Sequence, residues 1–208
     1  MKTKIAKAFY NNDNVVHVAR ELIGKILVTN INSQTTMGII VETEAYQGLA
    51  DRASHAYNGK RTARNEHMYA EAGTAYVYIC YGMHQMMNIV TNKKEVPDAI
   101  LIRAVEPLQG LEIMQQRTGK LPGDYTITRG PGNVAKAFGI AKIHSGISLT
   151  GNEVYLLHND GYDSAGKIIG VSARIGIHYA GLDAALPYRF FVKGNKFVSG
   201  GRKFNGTR

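Results

Sequence analysis

The feature that most constrains this chain is a repeated pattern: a run of β-branched and aromatic residues, a short turn, then a second such run. Lys25 to Asn30 reads as a strand, Asn32, Ser33 and Gln34 supply turn chemistry, and a second strand is predicted from about Met37 to Tyr46. The pattern returns at Thr74 to Cys80 and Met86 to Thr91, with Tyr81-Gly82-Met83-His84-Gln85 as its tip. Ala99 to Ala104 is a further apolar strand, and later ones are expected at Glu153 to Leu157, Ser172 to Ile177 and Tyr188 to Lys193. A Gly194-Asn195 turn leads the last of these into Lys196 to Ser199. Helices are fewer. Asp13 is placed to cap one that carries Val15, Val18, Ala19, Leu22 and Ile23 on one face until Gly24 stops it. Pro107 opens a second through about Gln116, with Leu108, Leu111 and Met114 inward, and Gly130-Pro131-Gly132-Asn133 precedes a third that ends at Phe138. The expected fold is therefore α+β: a single mixed domain over residues 1–208, with a curved, largely antiparallel sheet, flanking helices and a protruding β-hairpin.

The charge narrows the partners. Lys and Arg total 25 against 16 Asp and Glu, a net charge of +9, which favours a polyanion such as nucleic acid. The segment from Leu186 to Arg208 carries Arg189, Lys193, Lys196, Arg202, Lys203 and Arg208 and no acid. Cys80 is the lone cysteine, so no intrachain disulfide forms and the cytoplasm (the nucleoid, in a bacterium) is the expected compartment. No signal-peptide core and no apolar run of membrane-spanning length occurs, so no membrane partner is expected. The histidines are scattered, and neither a phosphate loop, a dinucleotide-binding glycine pattern nor a serine elbow is present. No metal and no cofactor is expected.

Chemistry concentrates in three places. Along the strand Gly38 to Tyr46, alternation puts Glu42, Glu44 and Tyr46 on one face and Ile39, Val41 and Ala45 on the other. Two carboxylates can share acid and base work in glycoside hydrolysis, and two glutamates on a half-solvated strand can equally be surface. In the hairpin 74–91, Tyr76 and Tyr78 share a face while Tyr81 stands at the tip. A tip aromatic either folds back on its own strands or wedges between stacked bases. Gly48 to Asn65 reads as a long loop holding His55, Lys60, Arg61, Arg64 and Asn65, suited to phosphate contacts. Gly130 and Gly132, before a helix, offer backbone N–H groups to an anion.

These segments occur in an order that resembles the alkyladenine (3-methyladenine) DNA glycosylase family. The resemblance is carried by Val41-Glu42-Thr43-Glu44-Ala45-Tyr46, His55, Arg64-Asn65, Gly73-Thr74-Ala75-Tyr76-Val77-Tyr78-Ile79-Cys80-Tyr81-Gly82-Met83, Met87-Asn88 and Arg103-Ala104-Val105-Glu106-Pro107. It runs from about Ala19 to Gly110 and continues more loosely through Gly130-Pro131 and Tyr188 to Gly194. His84 and Cys80 depart from the family's usual residues near the tip, and Lys120 to Gly130 aligns poorly.

The resemblance implies a monofunctional DNA glycosylase that everts and hydrolytically removes alkylated or deaminated purines in base excision repair. The candidate lesions are 3-methyladenine, 7-methylguanine, hypoxanthine and ethenoadenine. It implies Glu44 as the catalytic carboxylate, with Tyr46, His55, Tyr78, Asn88 and Arg103 around the everted base. Tyr81 and Met83 are implied to intercalate, while Arg61, Arg64, Asn65, Gly130 and Gly132 are candidates for the DNA backbone. Glu42 is expected to be structural, and no lysine lies in the matched pocket motifs, so no Schiff base is expected. The partner is double-stranded DNA with damaged purines, bound by a monomer. The alternatives are a non-catalytic nucleic-acid-binding module of the same fold, a sugar glycosidase using Glu42 and Glu44, and action on RNA. The catalytic reading requires Glu44 beside an aromatic slot and outside a buried ion pair.

Overall fold

Strand β2 (Gln34–Tyr46) organises the sheet because it is long enough to pair with three others. The two-residue turn Asn32-Ser33, with φ of 53° and 58°, joins it to β1 (Ile26–Ile31); left-handed conformations at both positions match the twist of a tight hairpin. The computed structural model describes residues 2–163 and 166–200. Beyond β1 and β2 the strands are β3 (Ala75–Cys80), β4 (His84–Thr91), β5 (Asp98–Gln109), β6 (Val154–Leu157), β7 (Ile169–Ser172) and β8 (Arg189–Val192). The main order is β3-β4-β5-β2-β1-β6, and β8 joins the far end of β2 and carries β7. Every pairing is antiparallel. The helices are α1 (Lys7–Tyr10), α2 (Val15–Glu21), α3 (Leu111–Thr118), α4 (Pro131–Phe138) and α5 (Asp160–Asp163). The result is a single mixed α+β domain, and among the described residues no helix is long and apolar enough to cross a membrane.

The register divides the sheet into two faces. Ala45, Ile100, Ile102, Met87, Ile89, Ala75 and Val77 enter the main core together with Val15, Val18 and Leu22 near α2 and Val134 and Phe138 of α4. Cross-strand pairing sets Glu44 opposite Leu101, Leu101 opposite Asn88, Asn88 opposite Tyr76, and Tyr78 opposite Met86, all on the other face. Three register shifts interrupt the β2–β5 ladder; at two of them Val41 is skipped on one strand and Arg103 on the other, on either side of the Glu42–Ala104 pair. A bulged residue is free of the ladder and can be re-aimed. Arg103 uses that freedom to turn its guanidinium across Glu42 and Glu44.

Several boundaries differ from expectation. Asn14, not Asp13, caps α2, its side chain accepting from His17 N at 2.9 Å. β5 runs on through Pro107 to Gln109, and α3 begins only after Gly110. Proline is tolerated there because β5 pairs with β4 only as far as Leu101, so its second edge carries no ladder at Pro107. Leu108 and Leu111 are consequently exposed, and only Met114 of the expected inward set is buried. The hairpin tip is Tyr81 to Met83; His84 and Gln85 belong to β4. The strand expected at Ser172 to Ile177 ends at Ser172, and Lys196 to Ser199 forms turns instead of a strand. Arg202, Lys203 and Arg208 of the basic C-terminal segment lie outside the described residues.

Candidate active site

A cavity of about 330 Å³ opens on the tyrosine-bearing face of the sheet, within the range of small-molecule sites. β3 supplies Tyr76 and Tyr78, β4 supplies Met86 and Asn88, β5 supplies Leu101 and Arg103, and Tyr46 closes the end of β2. The loop after β2 folds over this floor and brings in His55, and the segment after β7 contributes Ile175 and Tyr179. The five predicted pocket residues, Tyr46, His55, Tyr78, Asn88 and Arg103, thus converge on one space. Tyr76 belongs with them: its hydroxyl lies 2.8 Å from His55 Nδ1, and the His55 and Tyr78 rings meet edge-on at 4.5 Å. Asn88 donates from Nδ2 to the carbonyls of Tyr76 and Met86, both at 3.2 Å, which fixes the amide plane in the cavity wall.

Burial holds the His55 imidazolium in disfavour, and the nearby Arg64 and Lys60 cations add to the effect; its pKa falls to about 4. The ring is therefore neutral at physiological pH. Burial likewise pushes the Tyr46, Tyr76 and Tyr78 phenols up, so all three are protonated. The aromatic walls are uncharged and attract a cation where an imidazolium would repel it, although the Arg64 and Arg103 guanidinium groups also line the cavity.

Both glutamates of β2 are fully buried, which rules out a half-solvated strand. Glu42 is the structural member. Its Oε1 takes Arg103 Nε at 3.1 Å and Arg189 Nε at 2.7 Å, and its Oε2 takes Ser199 N at 2.7 Å. Burial raises its pKa, but the Arg103 and Arg189 cations and the Ser199 N–H outweigh it and leave it below the ordinary value. Glu44 differs. Its Oε1 accepts from Ile175 N at 2.7 Å and its Oε2 from the Tyr46 hydroxyl at 2.9 Å, with Arg103 Nη1 at 3.3 Å. Burial dominates here and lifts its pKa above the ordinary value, although Arg103, the Ile175 N–H and the Tyr46 hydroxyl pull the other way.

The expectation of a carboxylate outside any buried ion pair is thereby corrected. Glu44 shares Arg103 with Glu42, and it stands behind the cavity wall formed by Tyr46, Arg103 and Ile175. The contact with Arg103 is single and long for a charge-assisted bond, while Glu42 holds the closer share of cation. The Arg103 guanidinium uses Nε on Glu42 and Nη1 on Glu44 while it also lines the cavity.

The hairpin carries Tyr81 outward, 86 % exposed, with Met83 beside it at 72 %. Tyr81 (φ 49°) and Gly82 (φ 70°) are both left-handed, and Met83 N closes the turn on Cys80 O at 3.2 Å. A bulky aromatic residue at positive φ is strained, and such strain concentrates at functional sites.

The backbone candidates separate. Arg64 lines the cavity and donates to Ile79 O at 3.2 Å. Arg61 is part-exposed, pairs with Glu66 and Glu95 at 2.6 and 2.5 Å and stacks over Tyr69. Asn65 is corrected. It is buried, accepts from Thr62 N at 2.7 Å and donates to the carbonyls of His55 and Lys60, so it clamps the loop. Gly130 holds φ 85° at the start of α4, where a side chain would be strained. Gly132 has a packing reason: a Cβ there would meet the His84 ring at 3.1 Å. A second cavity of about 480 Å³ adjoins the first and is lined by Arg52, Lys60 and Arg64 among others.

Sequence reasoning missed Asp51, Arg174, Ile175 and Tyr179. Asp51 and Arg174 bond to each other from 123 residues apart, and no local pattern links them. Arg189 left a signal, a lone charge in the apolar strand Arg189–Val192, and its partner is the buried Glu42 carboxylate.

The sequence model of the methylpurine-DNA glycosylase family matches residues 8–196. Relatives named for a 3-methyladenine DNA glycosylase include one from Clostridium perfringens (strain 13 / Type A), 43 % identical over 203 residues, covering 94 % of this chain and 98 % of the relative. Another from Chlamydia felis is 43 % identical over 192 residues (90 % and 95 %), and one from Bacillus licheniformis is 42 % identical over 192 residues (92 % and 94 %). This chain belongs to the methylpurine-DNA glycosylase family. It is a hydrolase of N-glycosidic bonds, and DNA is its substrate.

Proposed function

We propose that this glycosylase everts a single alkylated or deaminated purine nucleotide from duplex DNA into the aromatic cavity and releases the base by water attack. The observation that carries this reading is the neutral slot of Tyr46, His55, Tyr76 and Tyr78 with the Glu44 carboxyl directly behind its wall. A base inside a duplex is out of reach of any side chain, so it must leave the stack. Tyr81 fills the gap, and Met83 presses beside it. A purine methylated at N3 or N7 is cationic; over an aromatic face it gains roughly 0.5–2 kcal/mol that a neutral base does not. Asn88 in the cavity wall selects among purine edges.

Breaking the glycosidic bond builds positive charge on the sugar. Glu44 stabilises that charge and deprotonates the attacking water, a contribution of about 10²–10⁴-fold for a general base. The water bridges the short distance from its recessed carboxyl to the cavity. Hypoxanthine and other neutral lesions need protonation of the leaving base, which methylated cations do not. One cavity and one hairpin in one chain suffice, so the protein acts as a monomer.

The test is chromatography of bases released from methylated duplex DNA by the wild type and by Glu44→Gln. Retained lesion binding with base release lost by at least about 10²-fold is expected. Normal release by the variant removes Glu44 from the chemistry.

A further inference from the structure

We propose that the buried Arg174–Asp51 pair is a positioning device for the reaction centre, holding the end of β2 against the backbone N–H that grips the Glu44 carboxyl. It rests on the reading of Glu44 as the acting carboxylate.

Neither Arg174 nor Asp51 lines either cavity, so neither touches substrate. Their side chains are 0 % and 1 % exposed. A buried ion pair is weak evidence for stability, because an apolar replacement often serves as well; a role in fixing geometry is the better account. Arg174 ties together three separate parts of the chain. Its Nη1 donates to Asp51 Oδ2 and to Ala45 O at 2.9 Å, the latter being the carbonyl between Glu44 and Tyr46. Its Nη2 donates to Asp51 Oδ1 at 2.9 Å and to Asp183 O at 3.1 Å. The guanidinium plane lies over the Tyr46 ring at 4.7 Å and near Tyr188 at 5.4 Å. Asp51 Oδ1 also accepts from Ala53 N at 2.9 Å, which anchors the loop that delivers His55.

The next residue, Ile175, donates its N–H to Glu44 Oε1 at 2.7 Å. Residues 173–177 have left the β7 ladder. With no strand pairing to hold them, the distance from Ile175 N to the carboxyl is set by the Arg174 bonds. A planar five-donor fork can satisfy two carbonyls and a carboxylate at once; an ammonium cannot.

The test uses full-length Arg174→Lys and Asp51→Asn, with single-turnover base release and equilibrium binding measured on the same methylated duplex. Release is expected to slow by about 10–100-fold, as for small misplacements of a reacting group, while binding of the lesion duplex changes far less. Loss of the Ile175 N–H bond favours the neutral carboxyl, so the acid limb of the pH–rate profile moves to higher pH. The double variant Glu44→Gln/Arg174→Lys is expected to be no slower than Glu44→Gln alone, because the pair acts through Glu44. An unmoved acid limb, additive losses in the double variant, or rate and affinity falling together would overturn the proposal while leaving Glu44 in place. Should Arg174→Lys not fold, Asp51→Asn decides by the same readouts. Wild-type release by Glu44→Gln overturns both readings.

Discussion

At the scale of single residues, the site depends on charges that are held absent. His55 sits among tyrosines, and burial with the Arg64 and Lys60 cations brings its pKa from 6.5 to about 4. As pH falls from 6.5 towards 4, the unfolded chain takes up this proton before the folded chain does, so stability declines across that window. His55→Gln should flatten that part of the melting temperature against pH curve, as scanning calorimetry can show. Tyr81 supplies a second contrast. Asn accepts left-handed backbone better than Tyr, so Tyr81→Asn should melt no lower than wild type and up to ~1 kcal/mol more stably. Base release should nonetheless fall by about tenfold or more, since unstacking a base step costs a few kcal/mol that no wedge then offsets. Joint loss of melting temperature and release would mark Tyr81 as a packing residue.

At the scale of elements, two bulges decide what β2 and β5 can do. Uninterrupted pairing would commit Arg103 to the ladder; skipped, it reaches both Glu42 and Glu44. The alternation that placed both glutamates on one face was legible in sequence. Their different fates were not, because Arg189 and Ser199 reach Glu42 from distant segments. Removing the Glu42 charge strands buried guanidinium, so Glu42→Ala should destabilise the fold by about 3–5 kcal/mol in urea titration. A change below about 1 kcal/mol would mean that the arginines find other partners. The hairpins were legible because each is local. The end of β5 and the start of α3 were misread because a proline that usually opens a helix is equally at home on an unpaired strand edge.

At the scale of the whole molecule, the net charge is +9, and the Arg52, Lys60 and Arg64 walls of the second cavity are where phosphate contacts are expected. Binding to undamaged duplex should weaken with salt at a slope of ~0.9 per phosphate neutralised, and Lys60→Ala should lower the slope by about one unit. A flat salt profile would argue against backbone contacts. Acid has a separate effect. Glu42 is held below 4.5, so its stabilisation is full above that value and is lost as pH falls through its folded pKa. Glu44, raised above 4.5, has the opposite sign: its contribution belongs to low pH and fades as pH rises through its folded value. The same raised value puts the acid limb of the base-release profile above 4.5.

The amino-acid sequence alone determined what is local or periodic: the hairpins, the face shared by Glu42, Glu44 and Tyr46, the outward Tyr81, the basic charge and the resemblance to a glycosylase family. Only the tertiary structure decided which carboxylate is neutralised by arginine and which is lifted by burial, and that the loop cation Arg61 is paired with Glu66 and Glu95. It also decided that a segment more than 120 residues away supplies the N–H on Glu44. Periodicity fixes the direction of a side chain from its own backbone. A pKa or an ion pair is fixed by what the rest of the chain brings within a few ångströms, and that proximity has no signature in the order of residues.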